Sequence, residues 1–138
     1  DLKKIQNDYF IFTNNGQKKI EQNPTEFFNS LHKYNFGELF LNSINQDGTG
    51  MGLDYSMLNL LPNEFNKPII LSGGTGNFKH ILNGLEKQHV NAISTSNLLN
   101  FVGDGLIKTR NKLLSEKIDF PYWDIKLLQN LNKIFKNK

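Results

Sequence analysis

The stretch PIILSGGTG, residues 68–76, decides the fold of this chain. Its apolar start is typical of a buried strand, and the glycines after it favour neither a strand nor a helix. A helix is predicted next, at residues 77–87, and another apolar run, VNAI, follows at residues 90–93. Strand, glycine-rich segment, helix and strand in this order predict parallel strands joined by right-handed crossovers.

The same order of elements extends in both directions along the chain. Upstream, ELFLNS at residues 38–43 is predicted to be a strand, NQDGTGMG at residues 45–52 a loop, and residues 54–62 a helix. Downstream, polar residues 94–97 lead to a helix predicted at about residues 103–116. Gly-Thr-Gly therefore follows two consecutive strands, and the chain is predicted to be an α/β protein with alternating strands and helices.

Two further elements precede this alternation. The turn Asn14-Asn15-Gly16 lies between short β-prone runs, which predicts a β-hairpin from residue 8 to about residue 20. Apolar residues at helical spacing after Pro24 predict a helix that ends near Asn35.

The length of the chain limits the architecture. A (βα)₈ TIM barrel takes about 250 residues, whereas this chain has 138. We therefore expect a half-barrel or a fragment of a barrel at residues 1–118 and an amphipathic C-terminal extension without chemistry at residues 119–138. The chain begins with Asp1, which we interpret as truncation. It has no run of roughly 18 apolar residues and no apolar leader, so neither a membrane span nor a signal peptide is expected.

Composition excludes several kinds of site. The chain has no cysteine, which rules out disulfides, thiolate metal ligands and a cysteine nucleophile, and is compatible with a cytoplasmic protein. His32, His80 and His89 lack the spacing of metal ligands, so neither a metal nor another cofactor is expected. The charge of +3 arises from 16 basic against 13 acidic residues, and the aromatic residues lie mostly inside apolar runs. We therefore expect no nucleic-acid partner.

Functional groups in a parallel βα array belong on the loops that follow the strands. Gly73 and Gly74 would let backbone N–H groups approach an anion, and the next helix would add the positive end of its dipole. Ser96 and Asn97 offer donors one strand later. Two adjacent strand ends with such donors predict a phosphate site, although glycine-rich loops are often only tight turns.

Asp47 lies at the tip of the first of these loops, where its carboxylate could act as a general acid or base. The alternative is an Asx-turn, in which the carboxylate accepts hydrogen bonds from the backbone of Gly48 to Gly50. Asp1, considered alone, is an uninformative chain terminus. We expect Asp1, Asp47, Gly73 and Ser96 to share the C-terminal edge of the sheet.

Several of these segments, in this order and spacing, resemble one enzyme family. They are DLK at residues 1–3, FTNNG at 12–16, GEL at 37–39, NSINQDGT at 42–49, SGGTG at 72–76 and Ser96-Asn97. Together they resemble the cyclase subunit of imidazole glycerol phosphate synthase, from Asp1 to about Leu114. The resemblance implies that the chain is the C-terminal half of a (βα)₈ barrel and contains strands five to eight.

The resemblance also implies an activity. Such a barrel takes ammonia from a glutaminase partner and uses it to cleave and cyclise a ribulosyl phosphoribosyl-formimino carboxamide nucleotide. The products are imidazole glycerol phosphate, for histidine biosynthesis, and an aminoimidazole carboxamide ribotide.

The family's functional positions fall on residues of this chain. The resemblance assigns the catalytic acid and base to Asp1, at the end of strand five, and Asp47, after strand six. It assigns phosphate or substrate contacts to a set that comprises Gly48, Gly73, Gly74, Ser96 and Asn97. Glu38, at the other end of its strand, matches a charged position in the ammonia gate, although an ordinary salt bridge would also explain it.

Departures from the family leave alternatives open. Asn45-Gln46 replaces an acidic and a basic residue, and Asn97 replaces a serine, so the substrate could differ. Without strands one to four, this chain alone is not expected to be a competent cyclase. FVGDG at residues 101–105 and PYW at 121–123 favour a related barrel that channels ammonia to an amidotransferase in surface-sugar biosynthesis.

A third interpretation is a non-catalytic half-barrel that docks a partner through its sheet edges. An open half-barrel is also expected to self-associate through an apolar inner face. The residues that we assign to that inner face are Leu39, Leu41, Ile69, Leu71 and Ile93.

Overall fold

The computed structural model describes residues 1–96, 98 and 105–119. Its strands are β1 (Leu2–Ile5), β2 (Asp8–Thr13), β3 (Lys18–Lys19), β4 (Leu39–Asn42), β5 (Ile69–Ser72) and β6 (Val90–Ile93). Its α-helices are α1 (Pro24–Ser30), α2 (Phe78–Leu85) and α3 (Gly105–Ser115), and 3₁₀ helices span Leu31–Lys33 and Tyr55–Leu60. The predicted hairpin, strands and helix α2 are confirmed, whereas residues 54–62 form a 3₁₀ helix and not an α-helix. Of the predicted extension at residues 119–138, only Asp119 is described.

Local sequence explains where the first helix begins. The Asn23 side chain accepts hydrogen bonds from the backbone N–H groups of Thr25 and Glu26, and Pro24 occupies the first helical position. Proline is favoured there because the N–H that it lacks would have no helical partner. This cap turns the chain from the hairpin into the helical layer.

Strands β4, β5 and β6 form a parallel sheet in sequential order, as the alternation of strands and helices predicts. The expected fourth parallel strand is wrong for the described residues. Residues after Asp1 form β1, which pairs antiparallel with β2 because the two-residue turn Gln6-Asn7 brings β2 back alongside it. Only a single parallel bridge, Leu2 to Ser43, joins β1 to the end of β4, and it is supported by the Ile44 N–H donating to the Leu2 carbonyl at 2.9 Å.

The predicted inner face is also wrong. Leu41, Ile69 and Leu71 are buried in the core with Phe28 and Met57, on the side of the sheet that the helices cover. Leu39 and Ile93 pack against the same cluster. Side chains alternate between the two faces of a strand, and a short apolar run does not show which face meets the helices.

The opposite side of the sheet, which we call the open face, bears Phe40, Ile70 and Ala92 in one register row. Phe40 is 53% exposed, although it lies within a strand. Ile70 and Ala92 beside it are half-buried, so the row is an apolar surface exposed mainly at Phe40, which is typical of a surface that another protein segment covers.

Self-association of the 138-residue chain through the open face is therefore expected. Sedimentation at micromolar concentration should detect dimers or larger species, and Phe40→Ser should shift the distribution towards monomer. Met51→Ser is a matched control, because Met51 is 81% exposed but lies in a loop. A monodisperse monomer for the unmodified chain would contradict this expectation.

Polar contacts join strands β1 and β2 to the rest of the molecule. The Tyr9 hydroxyl donates to the Asp54 carboxylate at 2.7 Å, and the other oxygen of that carboxylate accepts from the backbone N–H of Ser56. Asn45 pairs with the backbone of Lys4, accepting from its N–H at 2.7 Å and donating to its carbonyl at 3.0 Å. Partial burial and the neighbouring Asp54 carboxylate raise the pKa of Tyr9 to about 12.

This shift predicts a loss of stability in alkali. Tyrosine has a pKa of about 10 in an unfolded chain, so between about pH 10 and pH 12 the unfolded state loses a proton that folded Tyr9 retains. The contribution of Tyr9 is thus complete below pH 10 and declines as pH rises towards 12. Urea unfolding at pH 8, 10 and 11 should show a smaller alkaline decline for Tyr9→Phe than for the unmodified chain. Tyr34→Phe, at an exposed position, should retain the full decline.

Candidate functional site

Two loops at the C-terminal edge of the parallel sheet carry most of the predicted site. We call residues 43–52, after β4, the carboxylate loop, and residues 73–76, after β5, the glycine loop. Together with residues 94–96 after β6, they enclose a cavity of about 260 Å³. The predicted site residues that line this cavity are Asp47, Gly48, Gly73, Gly74 and Ser96.

A second cavity, of about 280 Å³, lies between the hairpin and the carboxylate loop. Its lining includes Asp1, Asp47, Asn42 and the hairpin turn at Asn15 and Gly16. Asp47 and Asn42 line both cavities, so the two predicted carboxylates and the glycine loop meet in one polar region. The expectation that Asp1, Asp47, Gly73 and Ser96 share one edge of the sheet is confirmed.

Backbone and threonine contacts hold the carboxylate loop in shape. The Asp47 N–H donates to the Ser43 carbonyl at 3.0 Å, and the Thr49 N–H donates to the Gln46 carbonyl at 3.0 Å. The Thr49 hydroxyl donates to that same carbonyl at 2.7 Å and accepts from the Met51 N–H at 3.1 Å. Within the described residues the Asp47 carboxylate accepts no hydrogen bond and its side chain is exposed, so the Asx-turn interpretation is wrong.

The glycine loop packs directly on the carboxylate loop. Gly73 and Gly74 have φ values of +93° and +97°, in the region that favours glycine. A Cβ at Gly73 would lie 2.5 Å from the Ser43 carbonyl oxygen, and one at Gly74 would overlap the Gly52 carbonyl oxygen. The Gly52 N–H donates to the Gly74 carbonyl at 2.8 Å. Both glycines are therefore required by the packing of one loop on the other.

Backbone donors in the glycine loop are available to a ligand. In the part of the chain that the structure describes, the N–H groups of Gly73, Gly74 and Thr75 form no backbone hydrogen bond, and all three residues line the first cavity. Unpaired N–H groups next to a helix N-terminus are the typical protein contribution to phosphate binding. The glycine loop precedes α2, whose Asn77 cap accepts from the His80 N–H.

Threonines join the glycine loop to the end of β6, a feature that the sequence reasoning missed. Thr75 is only 2% exposed, and its hydroxyl donates to the Ser94 carbonyl at 3.5 Å. In return, the Thr95 hydroxyl donates to the Thr75 carbonyl at 3.3 Å. These two contacts fix the spacing of neighbouring strand ends. Ser96 follows as an exposed residue of the first cavity, and Asn97 lies outside the described residues.

Asn42 is a second residue that the sequence reasoning did not single out. Its side-chain amide donates to the Asp1 carboxylate at 3.0 Å, and its Oδ1 is buried without a hydrogen-bond partner. The only signal in the sequence was a polar residue at the end of an otherwise apolar strand. Because a buried unpaired acceptor is costly, the orientation of Asp1 is the evident benefit of having asparagine there.

Glu38 lies apart from this region. It precedes β4 at the N-terminal edge of the sheet, so it is at the opposite end of the strand from Asp47. Its side chain is exposed, and no ion pair of Glu38 occurs among the described residues, so the predicted salt bridge is not seen there. The structure thus separates Glu38 from the two cavities.

Within residues 1–96, 98 and 105–119, no three His, Cys, Asp or Glu side chains form a group able to hold a metal ion.

In the same residues, no helix is long and apolar enough to cross a membrane. The residues that line the two cavities supply carboxylates, amides, hydroxyls and backbone N–H groups, a set suited to proton transfer and anion binding.

Comparison with known proteins identifies the family to which this chain belongs. A family described as "Histidine biosynthesis protein" matches residues 1–102. The "Putative imidazole glycerol phosphate synthase subunit hisF2" of Parasynechococcus marenigrum is 39% identical over 112 residues, which cover 81% of this chain and 42% of that protein. The "Imidazole glycerol phosphate synthase subunit HisF" of Prosthecochloris aestuarii is 34% identical over 101 residues, 73% of this chain and 40% of the relative.

The same named subunit from Chlorobaculum tepidum is 31% identical over 101 residues, again 73% of this chain and 40% of the relative. The chain thus spans about two fifths of the length of these curated relatives. The family match covers β1 through β6, together with both loops at the site. The chain therefore belongs to the histidine biosynthesis protein family and forms part of a (βα) barrel.

Proposed function

We propose that this chain supplies the C-terminal half of an imidazole glycerol phosphate synthase cyclase barrel. The observation that carries the proposal is that Asp1, Asp47 and the glycine loop line two adjoining cavities at one edge of the parallel sheet. That edge is where βα barrels hold their active sites. The names of the curated relatives support the same activity.

In this proposal Asp47 and Asp1 act as general acid and base in ammonia-dependent ring closure. The reaction must protonate a leaving group and deprotonate an attacking nitrogen, so two carboxylates at different sides of one site suit it. The Asp47 carboxylate accepts no hydrogen bond from its own loop, whereas the Asp1 carboxylate accepts one from the Asn42 amide at 3.0 Å. Both side chains line the second cavity, which leaves space for a substrate between the hairpin and the carboxylate loop.

One phosphate of the substrate would bind at the first cavity. The N–H groups of Gly73 and Gly74, the backbone at Gly48 and the Ser96 hydroxyl supply donors, and the start of α2 adds its dipole. We assign Asn97 to the same phosphate on the basis of the family resemblance alone, in which a serine is usual at this position. A phosphate held in this cavity would place the rest of the substrate beside Asp47, which lines both cavities.

The proposal includes a glutaminase subunit as the partner that delivers ammonia. The curated relatives are named as subunits, which supports a multi-subunit enzyme. Glu38, on the N-terminal edge of the sheet, would belong to the gate through which ammonia enters opposite the substrate. A cytoplasmic location is part of the same proposal, and the cysteine-free composition is compatible with it.

The test is an assay of the full-length barrel protein with an ammonium salt and the formimino nucleotide substrate. We expect ammonia-dependent formation of imidazole glycerol phosphate and the carboxamide ribotide, identified by mass spectrometry. The 138-residue chain alone should yield neither product. Failure of the full-length protein to convert the substrate would overturn the cyclase proposal. If glutamine-derived ammonia then still reached a partner amidotransferase, the ammonia-channelling alternative would replace it.

No feature of the described residues favours the alternatives over the cyclase. The segment at residues 121–123 and most of residues 101–105, which suggested the surface-sugar branch, lie outside the described residues. A non-catalytic half-barrel would not require two carboxylates and unpaired backbone donors around shared cavities.

A further inference from the structure

His80 lies where the glycine loop, the carboxylate loop and helix α2 meet. Its Nδ1 accepts a hydrogen bond from the Gly76 N–H at 3.1 Å. Its Nε2 lies 3.1 Å from the Asn77 side-chain nitrogen and 3.7 Å from the point where a Cβ on Gly52 would lie. The His80 carbonyl accepts from the Tyr55 hydroxyl at 3.4 Å. The ring therefore bonds to the glycine loop and lies beside the carboxylate loop at Gly52, and it lines neither cavity.

The surrounding donors determine the protonation of the ring. A backbone N–H can only donate, so Nδ1 must be unprotonated to accept from Gly76. The Asn77 amide cannot turn round, because its Oδ1 accepts from the His80 N–H at 3.1 Å and caps α2. A neutral ring has one acceptor nitrogen, so it can accept from the Gly76 N–H or from the Asn77 amide nitrogen but not from both. The Gly76 contact is partly buried and the Asn77 contact is exposed to solvent, so neutral His80 accepts from Gly76 and carries its proton on Nε2.

Gly76, the residue bonded to His80, packs against the other loop of the site. A Cβ on Gly76 would overlap the Gly50 carbonyl oxygen, so the backbone of the glycine loop lies directly against the carboxylate loop at this point. Two residues earlier, the Gly74 carbonyl accepts from the Gly52 N–H at 2.8 Å. The glycine loop is thus held at its end by His80 and in its middle by the carboxylate loop.

We propose that His80 is a positioning residue, which holds the glycine loop in the conformation that presents the N–H groups of Gly73 and Gly74 to a phosphate. It contacts no substrate atom and acts only through Gly76. This inference rests on the proposed function, because it assumes that the glycine loop binds phosphate.

Titration of the full-length barrel protein with inorganic phosphate would test the proposal. The amide NMR signals of Gly73 and Gly74 report on this site separately from any other phosphate site. His80→Ala should weaken phosphate binding at these signals about tenfold, the equivalent of one lost hydrogen bond. His80→Asn should recover most of the affinity, because asparagine Oδ1 can accept in place of Nδ1. Asn83→Ala, an exposed change on the same helix, should bind as the unmodified protein does.

Unchanged phosphate binding by His80→Ala, or failure of His80→Asn to recover it, would overturn the proposal. A second measurement does not require a variant that folds: imidazole ¹⁵N shifts of the unmodified protein at neutral pH should show Nδ1 unprotonated and Nε2 protonated. A proton on Nδ1 would equally overturn it. If the unmodified protein showed no phosphate response at Gly73 and Gly74, the assignment of phosphate to this loop would fail, and the role of His80 with it. The cyclase activity would still be judged by the product assay.

Discussion

Asp47→Asn in the full-length barrel protein is expected to lower the ammonia-dependent turnover by about 10²-fold or more, the typical contribution of a general acid or base. Asparagine has nearly the same shape as aspartate but cannot exchange a proton at neutral pH. The carboxylate loop should keep its conformation, because it is held by the Ser43 and Gln46 carbonyls and by the Thr49 hydroxyl. Phosphate binding should accordingly remain nearly unchanged.

Steady-state rates and phosphate titrations of the same samples would separate chemistry from binding. Asp8→Asn is the matched control: it makes the same chemical change at an exposed carboxylate on β2, outside both cavities of the site. An Asp47→Asn protein with an unaltered rate would exclude Asp47 from proton transfer. Equal losses of rate and of phosphate binding would instead indicate a role in loop structure.

Gly74→Val is expected to destabilise the fold by about 3 kcal/mol or more, the sum of a left-handed backbone penalty and an overpacking cost. Gly74 has φ +97°, and its Cβ would overlap the Gly52 carbonyl oxygen and approach the Gln46 side chain at 2.9 Å. The Gly52 backbone cannot withdraw easily, because its N–H is bonded to Gly74 itself. Loss of phosphate binding should accompany this change, since the two loops would separate.

Urea unfolding of the full-length protein would measure the loss of stability. Substitutions at two other glycines separate the cost of backbone strain from the cost of overpacking. Gly48 has φ +76° but no atom within 4 Å of its Cβ position, so Gly48→Ala should cost only the backbone term, about 1–2 kcal/mol. Gly37 has neither constraint, so Gly37→Ala should change the free energy of unfolding by less than about 1 kcal/mol. A Gly74→Val protein as stable as Gly48→Ala would show that the loops can separate at little cost.

Local pattern accounts for much of the fold. Apolar runs bounded by glycine, proline and asparagine located β4, β5 and β6 to within about a residue at each end, because burial of short strands and turn chemistry are both local properties. The hairpin followed from Asn14-Asn15-Gly16, whose three residues all have positive φ. The antiparallel pairing of β1 with β2 was not predicted. From the sequence alone, the strand after Asp1 could equally have belonged to the parallel sheet of the barrel.

The site was predicted in part. The order of strands and loops was sufficient to bring Asp47, Gly73 and Ser96 to one edge, because parallel strands share a direction. It was insufficient to tell whether the Asp47 carboxylate is engaged by its own turn, since aspartate and threonine can both satisfy the backbone of such a loop. Thr49 takes that role here, and Asp47 is left exposed.

The sequence by itself determined the alternation of strands with polar loops, the resemblance to a cyclase barrel and the residues able to move protons or bind an anion. Only the tertiary structure decided which face of the sheet the helices cover, that Asn42 donates to Asp1, and that His80 accepts from the Gly76 N–H. The Asn42 and Asp1 side chains are 41 positions apart along the chain, and the Gly76–His80 contact, although it spans only 4 positions, depends on the backbone conformation of the glycine loop. Their partners are selected by the close packing of one loop on the next, which no local pattern of residues specifies.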